Sequence, residues 1–262
     1  MIQDERRRQI LEYVVKYGSI SIPVLCETFG VSEMTARRDL RALDQEGTLR
    51  RVHGGALSSM GRSYEPPYNL RTTKNLVAKQ AIGRKAAELV YDGDSIALDV
   101  GTTTLEVARA LHKHTNLTII TYSLTIANEI ISTFSLENKV RLILTGGIVR
   151  HGELSMIGDQ PVSFFRDYYV DKAFLGVGGL SLEAGLTEFN LEDALVKKAL
   201  VKSAKEKIVV ADSDKFGQVA FSKICYLASI DKIITDRKAP QRMVNEYRDL
   251  GIEVILADEI DL

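Results

Sequence analysis

Residues 31–40, VSEMTARRDL, and residues 49–56, LRRVHGGA, constrain this chain more than any other stretch. Ser32 is a favourable helix N-cap, because its hydroxyl can accept one of the backbone N–H groups left without partners in a first turn. The helical pattern then runs on to a stop at Gly47. At about 100° per residue, Ala36, Leu40 and Leu43 share an apolar face, Met34, Arg38 and Arg41 lie opposite, and Arg37 sits on the flank. One side of such a helix packs, and the other is long and cationic. Upstream, Ile10, Leu11, Val14 and Val15 mark a first helix, while Val24, Leu25 and Phe29 mark a second that ends at Gly30. Downstream, residues 48–52 have strand character with a basic tip at Arg50 and Arg51, closed by Gly54 and Gly55. Short helices followed by a strand and a tight turn predict a winged helix-turn-helix.

In that arrangement Met34, Arg38 and Arg41 are placed to probe base edges. Ser32, Thr35, Arg37, Arg51 and His53 suit contacts to the phosphate backbone. A bidentate Arg–guanine contact supplies about 1–3 kcal/mol of discrimination, whereas an Arg on a phosphate adds salt-sensitive affinity without sequence preference. The competing reading is that these arginines merely solvate a surface helix. Total charge does not separate the two, since residues 1–57 carry nine Lys or Arg against eight Asp or Glu. The signal lies in position. Asp39, on the rim of the apolar face, is expected to pair with an arginine and orient it rather than to read a base.

A length of 262 residues suggests about two domains, and 45% hydrophobic content supplies a real core. No apolar run reaches the roughly 18 residues that read as a bilayer span, and Asp4, Glu5, Arg6, Arg7 and Arg8 stand where a signal peptide would turn apolar. A soluble, cytoplasmic protein is expected. Cys26 and Cys225 are far apart and form no C-x-x-C, so they predict core thiols rather than a disulfide or zinc site. A net charge of −1 confines any nucleic-acid contact to the N-terminal unit.

Residues 58–71, SSMGRSYEPPYNLR, lose periodicity and contain the Pro66-Pro67 pair, which disfavours helix around it. The expected organisation is therefore a DNA-binding domain over residues 1–57, a linker over 58–73 and an α/β domain over 74–262. In the last, apolar strand-like runs at 95–100, 118–121, 141–145, 172–177, 207–211, 232–235 and 253–256 alternate with helical patterns at 74–90, 104–112, 124–133, 190–203 and 240–250. Such alternation predicts a mostly parallel sheet covered on both faces, with ligands beyond the carboxyl ends of its strands.

Those strand ends share a chemistry. The first leads into Asp99-Val100-Gly101-Thr102-Thr103-Thr104 before a helix, where a tight turn, three hydroxyls and a helix N-terminus favour a phosphate. The plainer alternative is that Thr103 or Thr104 only caps the helix. Later ends give Thr121-Tyr122-Ser123, then Thr145-Gly146-Gly147 with Arg150 close behind, then Gly176-Val177-Gly178-Gly179, and finally Asp212-Ser213-Asp214-Lys215-Phe216-Gly217. The candidate effector residues are Asp99, Gly101, Thr102, Thr103, Thr104, Ser123, Gly146, Gly147, Arg150, Gly178 and Lys215. They suit a small phosphorylated sugar or polyol.

Taken together, VSEMTARRDL, RRVHGGA, DVGTTT, ILTGGIVR, DKAFLGVGG and ADSDKFG resemble the DeoR family of bacterial transcription regulators over nearly the whole chain. The resemblance implies a winged helix-turn-helix joined to a sensor domain similar to ribose-phosphate isomerases and CoA-transferase-like folds. It implies a repressor of a carbohydrate-utilisation operon, relieved by a sugar phosphate, with no cofactor. It places the phosphate loop on Gly101–Thr104 and the family's lysine on Lys215. The partners implied are double-stranded operator DNA, a phosphorylated metabolite and further copies of the chain in a homodimer or higher oligomer. Two heads would then reach major grooves about 34–36 Å apart or a multiple of that. Two positions depart from the family pattern: Ala36 replaces an isoleucine, implying a thinner core contact, and Tyr122 replaces an asparagine at the expected pocket wall.

Two other functions would use parts of the same sequence. A sugar-phosphate isomerase could draw acid and base groups from Asp99, Glu188, Glu192, Asp214 and Lys215, provided one lies within reach of a carbon-bound proton. A dinucleotide-sensing repressor requires G-x-G-x-x-G opening a helix, and Gly176-Val177-Gly178-Gly179-Leu180-Ser181 lacks the last glycine. No metal site is expected. His112 and His114 read as histidines at a helix C-terminus, His151 beside Arg150 reads either as a ligand contact or as an exposed loop residue, and Lys197, Lys198, Lys202, Lys205 and Lys207 read as a solvated helix face.

Overall fold

The computed structural model describes residues 3–58 and 61–258; Met1, Ile2, residues 59 and 60 of the expected linker, and the last four residues of the expected sensor domain lie outside the described residues. The chain divides into two compact units, Met1–Tyr64 and Glu65–Leu262.

The first unit runs α1 (Gln3–Tyr17), β1 (Ser19–Ser21), α2 (Ile22–Phe29), α3 (Glu33–Gln45), β2 (Leu49–Val52) and β3 (Gly55–Ser58). Ser21 caps α2 by accepting the Val24 N–H, and Gly30 ends it in the left-handed conformation at φ 62°, which turns the chain into α3. The wing strands β2 and β3 pair antiparallel, and β1 adds to the free edge of β3 in the order β1-β3-β2. Three-residue β1 gave no periodic signal in the sequence. Ile10, Val14, Leu25, Ala36, Leu40, Leu43 and Leu49 form the core of this unit.

The second unit opens with α4 (Tyr68–Thr73) and α5 (Leu76–Ala87) and continues with β4 (Ser95–Leu98), α6 (Thr102–Ala110), β5 (Thr118–Thr121), α7 (Leu124–Thr133) and β6 (Arg141–Leu144). Next come β7 (Ile148–Arg150), β8 (Ser155–Ile157), α8 (Asp159–Asp167), β9 (Val170–Leu175), β10 (Gly179–Ser181) and β11 (Gly185–Glu188). The chain ends with α9 (Leu191–Ser203), β12 (Ala204–Val210), β13 (Ser222–Cys225), β14 (Lys232–Asp236), α10 (Gln241–Asp249) and β15 (Glu253–Ala257). A seven-stranded parallel sheet has the order β15-β14-β12-β9-β4-β5-β6. Successive side chains leave it on opposite faces: Ala97, Ala173 and Leu175 enter one core, and Ile96, Leu98 and Phe174 the other. The chain departs from β4 toward β5 on one side, while β9 borders β4 on the other. Their carboxyl ends therefore form the switch point where an open α/β sheet binds ligands.

The parallel α/β class and its strands match the sequence reading, while four other features do not. The expected linker is partly structured: Pro67 precedes α4 as its N-cap, since a proline is tolerated where a helix N–H would lack a partner anyway. Helix α8 was not foreseen because Pro161 interrupts its pattern, although Pro161 and Phe165 are its buried residues. A β7–β8 hairpin and a small antiparallel sheet, β10-β11-β13, supplement the parallel one. Their strands are too short to show an alternating signature.

Gly83 brings α5 against α6: a Cβ there would lie 2.5 Å from the backbone carbonyl carbon and oxygen of Glu106. Backbone cannot rotate aside as a side chain can. Gly83→Ala should therefore lower stability by about 1–3 kcal/mol in urea unfolding, despite alanine's better helix propensity.

Candidate nucleic-acid interface and effector site

In the first unit Ser32 Oγ accepts the Thr35 N–H at 3.4 Å and lies 3.1 Å from the Thr35 hydroxyl, so the α3 cap is formed. Ala36, Asp39, Leu40 and Leu43 are buried, and Met34, Arg37, Arg38 and Arg41 are exposed, Met34 at 73%. Ala36 is itself fully buried in the core. Arg37 pairs with Glu33 one turn back, at 3.3 Å. Arg38 and Arg41 have no acidic partner among the described residues. Arg51 donates its backbone N–H to Asp44, leaving its guanidinium outward. Arg37, Arg51 and His53 line one cleft together with Ile22, Leu40 and the Val52–Gly55 turn. Asp39 is an ion-pair partner, but of α1 rather than of the exposed arginines: it accepts from Arg6 Nε at 2.7 Å and Arg7 Nε at 3.2 Å. That pairing fixes α1 to α3 and leaves Arg38 and Arg41 outside it.

At the end of β4, Gly101 takes φ 140°, a conformation that L side chains rarely adopt, and turns the chain into α6. No side chain caps α6. Thr104 is fully buried and donates its hydroxyl to the Gly101 carbonyl at 2.9 Å, so it braces the turn. Thr102 and Thr103 retain 7% and 9% exposure, and their hydroxyls have no partner among the described residues. Lys215, in a short turn after β12, places its ammonium 5.6 Å from the Phe189 ring centre and has no acidic partner among the described residues. Burial lowers its pKa, opposed by Asp212 and reinforced by Arg71.

Several other candidates serve the scaffold. Ser123 is buried and caps α7 through the Ile126 N–H at 3.3 Å. Gly147 admits Ile157, whose carbonyl oxygen would lie 2.7 Å from an added Cβ, and Gly146 precedes it at φ 75° in the same turn. Gly178 faces the Phe189 ring at 3.0 Å and Glu188 Oε1 at 3.1 Å by the same measure. Arg150 is half-buried and already engaged, by Glu65 at 3.0 Å and Asp193 at 2.5 Å.

The main correction concerns Lys197. It is no solvated lysine: its side chain is 2% exposed, and its ammonium lies 2.8 Å from Asp99 Oδ2, 2.7 Å from Glu188 Oε2 and 2.8 Å from the Gly176 carbonyl. Burial alone would lower its pKa, but Asp99 and Glu188 outweigh burial and hold it above the ordinary lysine range. Asp99 also accepts the Val100 and Gly176 N–H groups, each at 2.8 Å, and the Tyr122 hydroxyl. Tyr122 is thus a fully buried support for Asp99 rather than a wall open to a ligand. Of the other lysines in that run, Lys202 and Lys205 are exposed, whereas Lys198 and Lys207 are half-buried, and Lys207 pairs with Asp231 at 2.9 Å.

Sequence reasoning also missed Lys79, Arg71, Glu65, Glu153 and Asp193. Lys79 is buried, donates to the Arg71 carbonyl and is lowered to about 8 by burial, with Lys215, Arg71 and Lys74 adding to the effect. Arg71 pairs with Glu153 and, at 3.2 Å, with Glu65. Burial raises Glu153 to about 7 against the pull of Arg71, and Asp193 to about 6 against that of Arg150. A signal existed for Lys197 alone: it falls three residues after Ala194 and three before Leu200, on the buried stripe of α9.

The two other functions fare differently. Residues 179–181 form strand β10, and the Gly178 N–H bonds to Thr187, so no helix opens after Gly176 and the dinucleotide fingerprint is absent at that segment. Asp99 and Glu188 are held by Lys197, Asp214 pairs with Lys74 at 2.9 Å, and Glu192 is exposed at the start of α9. The His112 and His114 rings meet backbone carbonyls.

Family models of the DeoR-like helix-turn-helix domain and the DeoR C-terminal sensor domain match residues 6–60 and 74–237. The chain belongs to the DeoR family. This DeoR-family chain is 35% identical over 257 residues to a putative aga operon transcriptional repressor of Escherichia coli O157:H7, covering 97% of this chain and 94% of that one. It is 32% identical over 256 residues to the glycerol-3-phosphate regulon repressor of Escherichia coli K12, covering 98% and 100%. Among solved structures, the ribose 5-phosphate isomerase of Methanocaldococcus jannaschii aligns with a TM-score of 0.39 at 20% identity, covering 55% of each chain. No described helix is long and apolar enough to cross a membrane.

Lys197→Met leaves two carboxylates buried without their cation and should cost about 3–5 kcal/mol near neutral pH. The deficit should shrink in acid, where Asp99 and Glu188 can take up protons; denaturant unfolding at several pH values checks this. Glu153 gives the opposite sign to the usual acid. Its raised pKa means that the folded protein keeps a proton which the unfolded chain has released, so its contribution to stability falls as pH rises from about 4.5 through about 7. Glu153→Gln should therefore gain stability relative to wild type across that interval.

Proposed function

We propose that this regulator is a repressor of a carbohydrate-utilisation operon that binds operator DNA through α3 and the β2–β3 wing and is relieved by a phosphorylated sugar or polyol. The observation that carries the reading is the uncapped α6 N-terminus, with the partnerless Thr102 and Thr103 hydroxyls, in a unit that also holds the unpaired ammonium of Lys215. Such groups suit a phosphate, because backbone N–H donors and the helix dipole both favour an anion there. The names of the relatives agree, since one is a glycerol-3-phosphate regulon repressor.

On the DNA side, Met34, Arg38 and Arg41 read bases, while Ser32, Thr35, Arg37, Arg51 and His53 hold the backbone. A homodimer or higher oligomer supplies two heads. No cofactor takes part, and the sensor does not turn over its ligand, because the carboxylates nearest the strand ends are tied to Lys197 and main-chain N–H groups. Effector binding lowers operator affinity by about 5- to 150-fold, the usual range of coupling between sites.

Arg38→Ala should lose operator preference, by about 1–3 kcal/mol of discrimination in fluorescence anisotropy, and retain ligand response. Thr103→Glu should bind operator normally and show no thermal shift with any sugar phosphate that stabilises the wild type. An Arg38→Ala variant with intact specificity would remove that residue from base reading, and a Thr103→Glu variant that still responds would move the anion site elsewhere.

A further inference from the structure

Arg71 and Arg150 converge on one carboxylate, that of Glu65, at 3.2 Å and 3.0 Å. Arg150 turns both terminal nitrogens to Glu65 Oε2, each at 3.0 Å, so one carboxylate oxygen accepts two charge-assisted hydrogen bonds. The three side chains are only 15–21% exposed. Their other acidic partners belong to the body of the sensor: Glu153 follows β7, Asp193 opens α9, and both are nearly fully buried. Glu65 differs in origin. It is the first residue of the second unit and directly follows Tyr64, the last of the first.

Two further observations mark the surroundings as built for a ligand. Asp193 Oδ1 and the Tyr68 hydroxyl are buried and make no hydrogen bond of ordinary geometry among the described residues, although Ser155 interacts with the Asp193 carboxylate and Thr125 with the Tyr68 hydroxyl, so a ligand group could complete them. Cations also crowd here. Arg71, Lys74 and Lys215 together depress the buried Lys79 ammonium beyond the effect of burial itself.

We propose that Arg71 and Arg150 form a second anion subsite of the sensor, closed in this structure by the Glu65 carboxylate and opened when an anionic group of the effector takes that carboxylate's place. The inference rests on the proposed phosphate site at Thr102 and Thr103 and names the effector class more narrowly. The effector is a small sugar derivative with two anionic ends, a bisphosphate or a phosphorylated sugar acid, whose hydroxyls supply partners for Asp193 Oδ1 and the Tyr68 hydroxyl. Exchanging one anion for another keeps the guanidinium groups paired, so neither is left as an uncompensated buried charge. The displaced residue adjoins the DNA-binding unit in sequence. Occupancy of the subsite therefore frees the chain at the point where that unit ends.

The test is calorimetric titration of the full-length protein with inorganic phosphate, comparing wild type, Glu65→Gln, Glu65→Asp, Thr103→Glu and the Glu65→Gln/Thr103→Glu pair, each shown to unfold cooperatively. Removing the internal anion should expose a second phosphate site that binds about tenfold more tightly than any second site in wild type. Glu65→Asp, which keeps the charge and shortens its reach, should give a smaller gain. The double variant should keep the new site and lose the first. Unchanged affinity and stoichiometry in both Glu65 variants would overturn the subsite while leaving the threonine site standing. Full phosphate binding by Thr103→Glu would instead overturn the threonine site.

Discussion

The sensor is organised around one ammonium group, that of Lys197, buried between Asp99 and Glu188. Three charges withdrawn from water are costly unless each finds close partners, and here each does. Asp99 gathers two backbone N–H groups and the Tyr122 hydroxyl, Glu188 accepts the Phe189 N–H, and Lys197 reaches the Gly176 carbonyl as well. These contacts join the ends of β4 and β9, the end of β11 and the middle of α9. The switch point of the sheet is thereby a fixed polar frame rather than a flexible set of loops.

Around this frame the polar residues fall into two sets. Ser123, Thr104, Arg150 and Tyr122 are engaged with the protein itself. The Thr102 and Thr103 hydroxyls are not, Lys215 meets the Phe189 ring but no carboxylate in an ion pair among the described residues, and the α6 N-terminus has no side-chain cap. The DNA-binding unit shows a parallel division. Asp39 engages Arg6 and Arg7 inside the fold, and Arg38 and Arg41 remain outward on the opposite face of α3. In both units cationic or donor groups suited to an anion stand outside the internal ion pairs.

Much of this was legible in the sequence. The apolar runs that became β5 and α7 were bounded by turn residues, and their limits, Thr118–Thr121 and Leu124–Thr133, agree with the sequence reading. The faces of α3 followed from its period alone, including the burial of Ala36. What escaped were charges whose partners lie far away along the chain. Lys197 reads as a surface lysine unless its place on the apolar stripe of α9 is weighed above its type. Arg150 reads as free for a ligand until Glu65 and Asp193 are brought to it. Helical phase is local information, whereas a buried ion pair is decided by the fold that assembles it.

If a phosphorylated metabolite and operator DNA oppose each other through one molecule, linkage makes the coupling measurable from either side. The most direct measurement is operator affinity of the full chain at increasing concentrations of a sugar phosphate that stabilises it, paired with affinity for that sugar phosphate with and without operator. Both affinities should fall by one common factor, between about 5 and 150. An operator affinity that stays constant while the sensor becomes saturated would contradict this coupling.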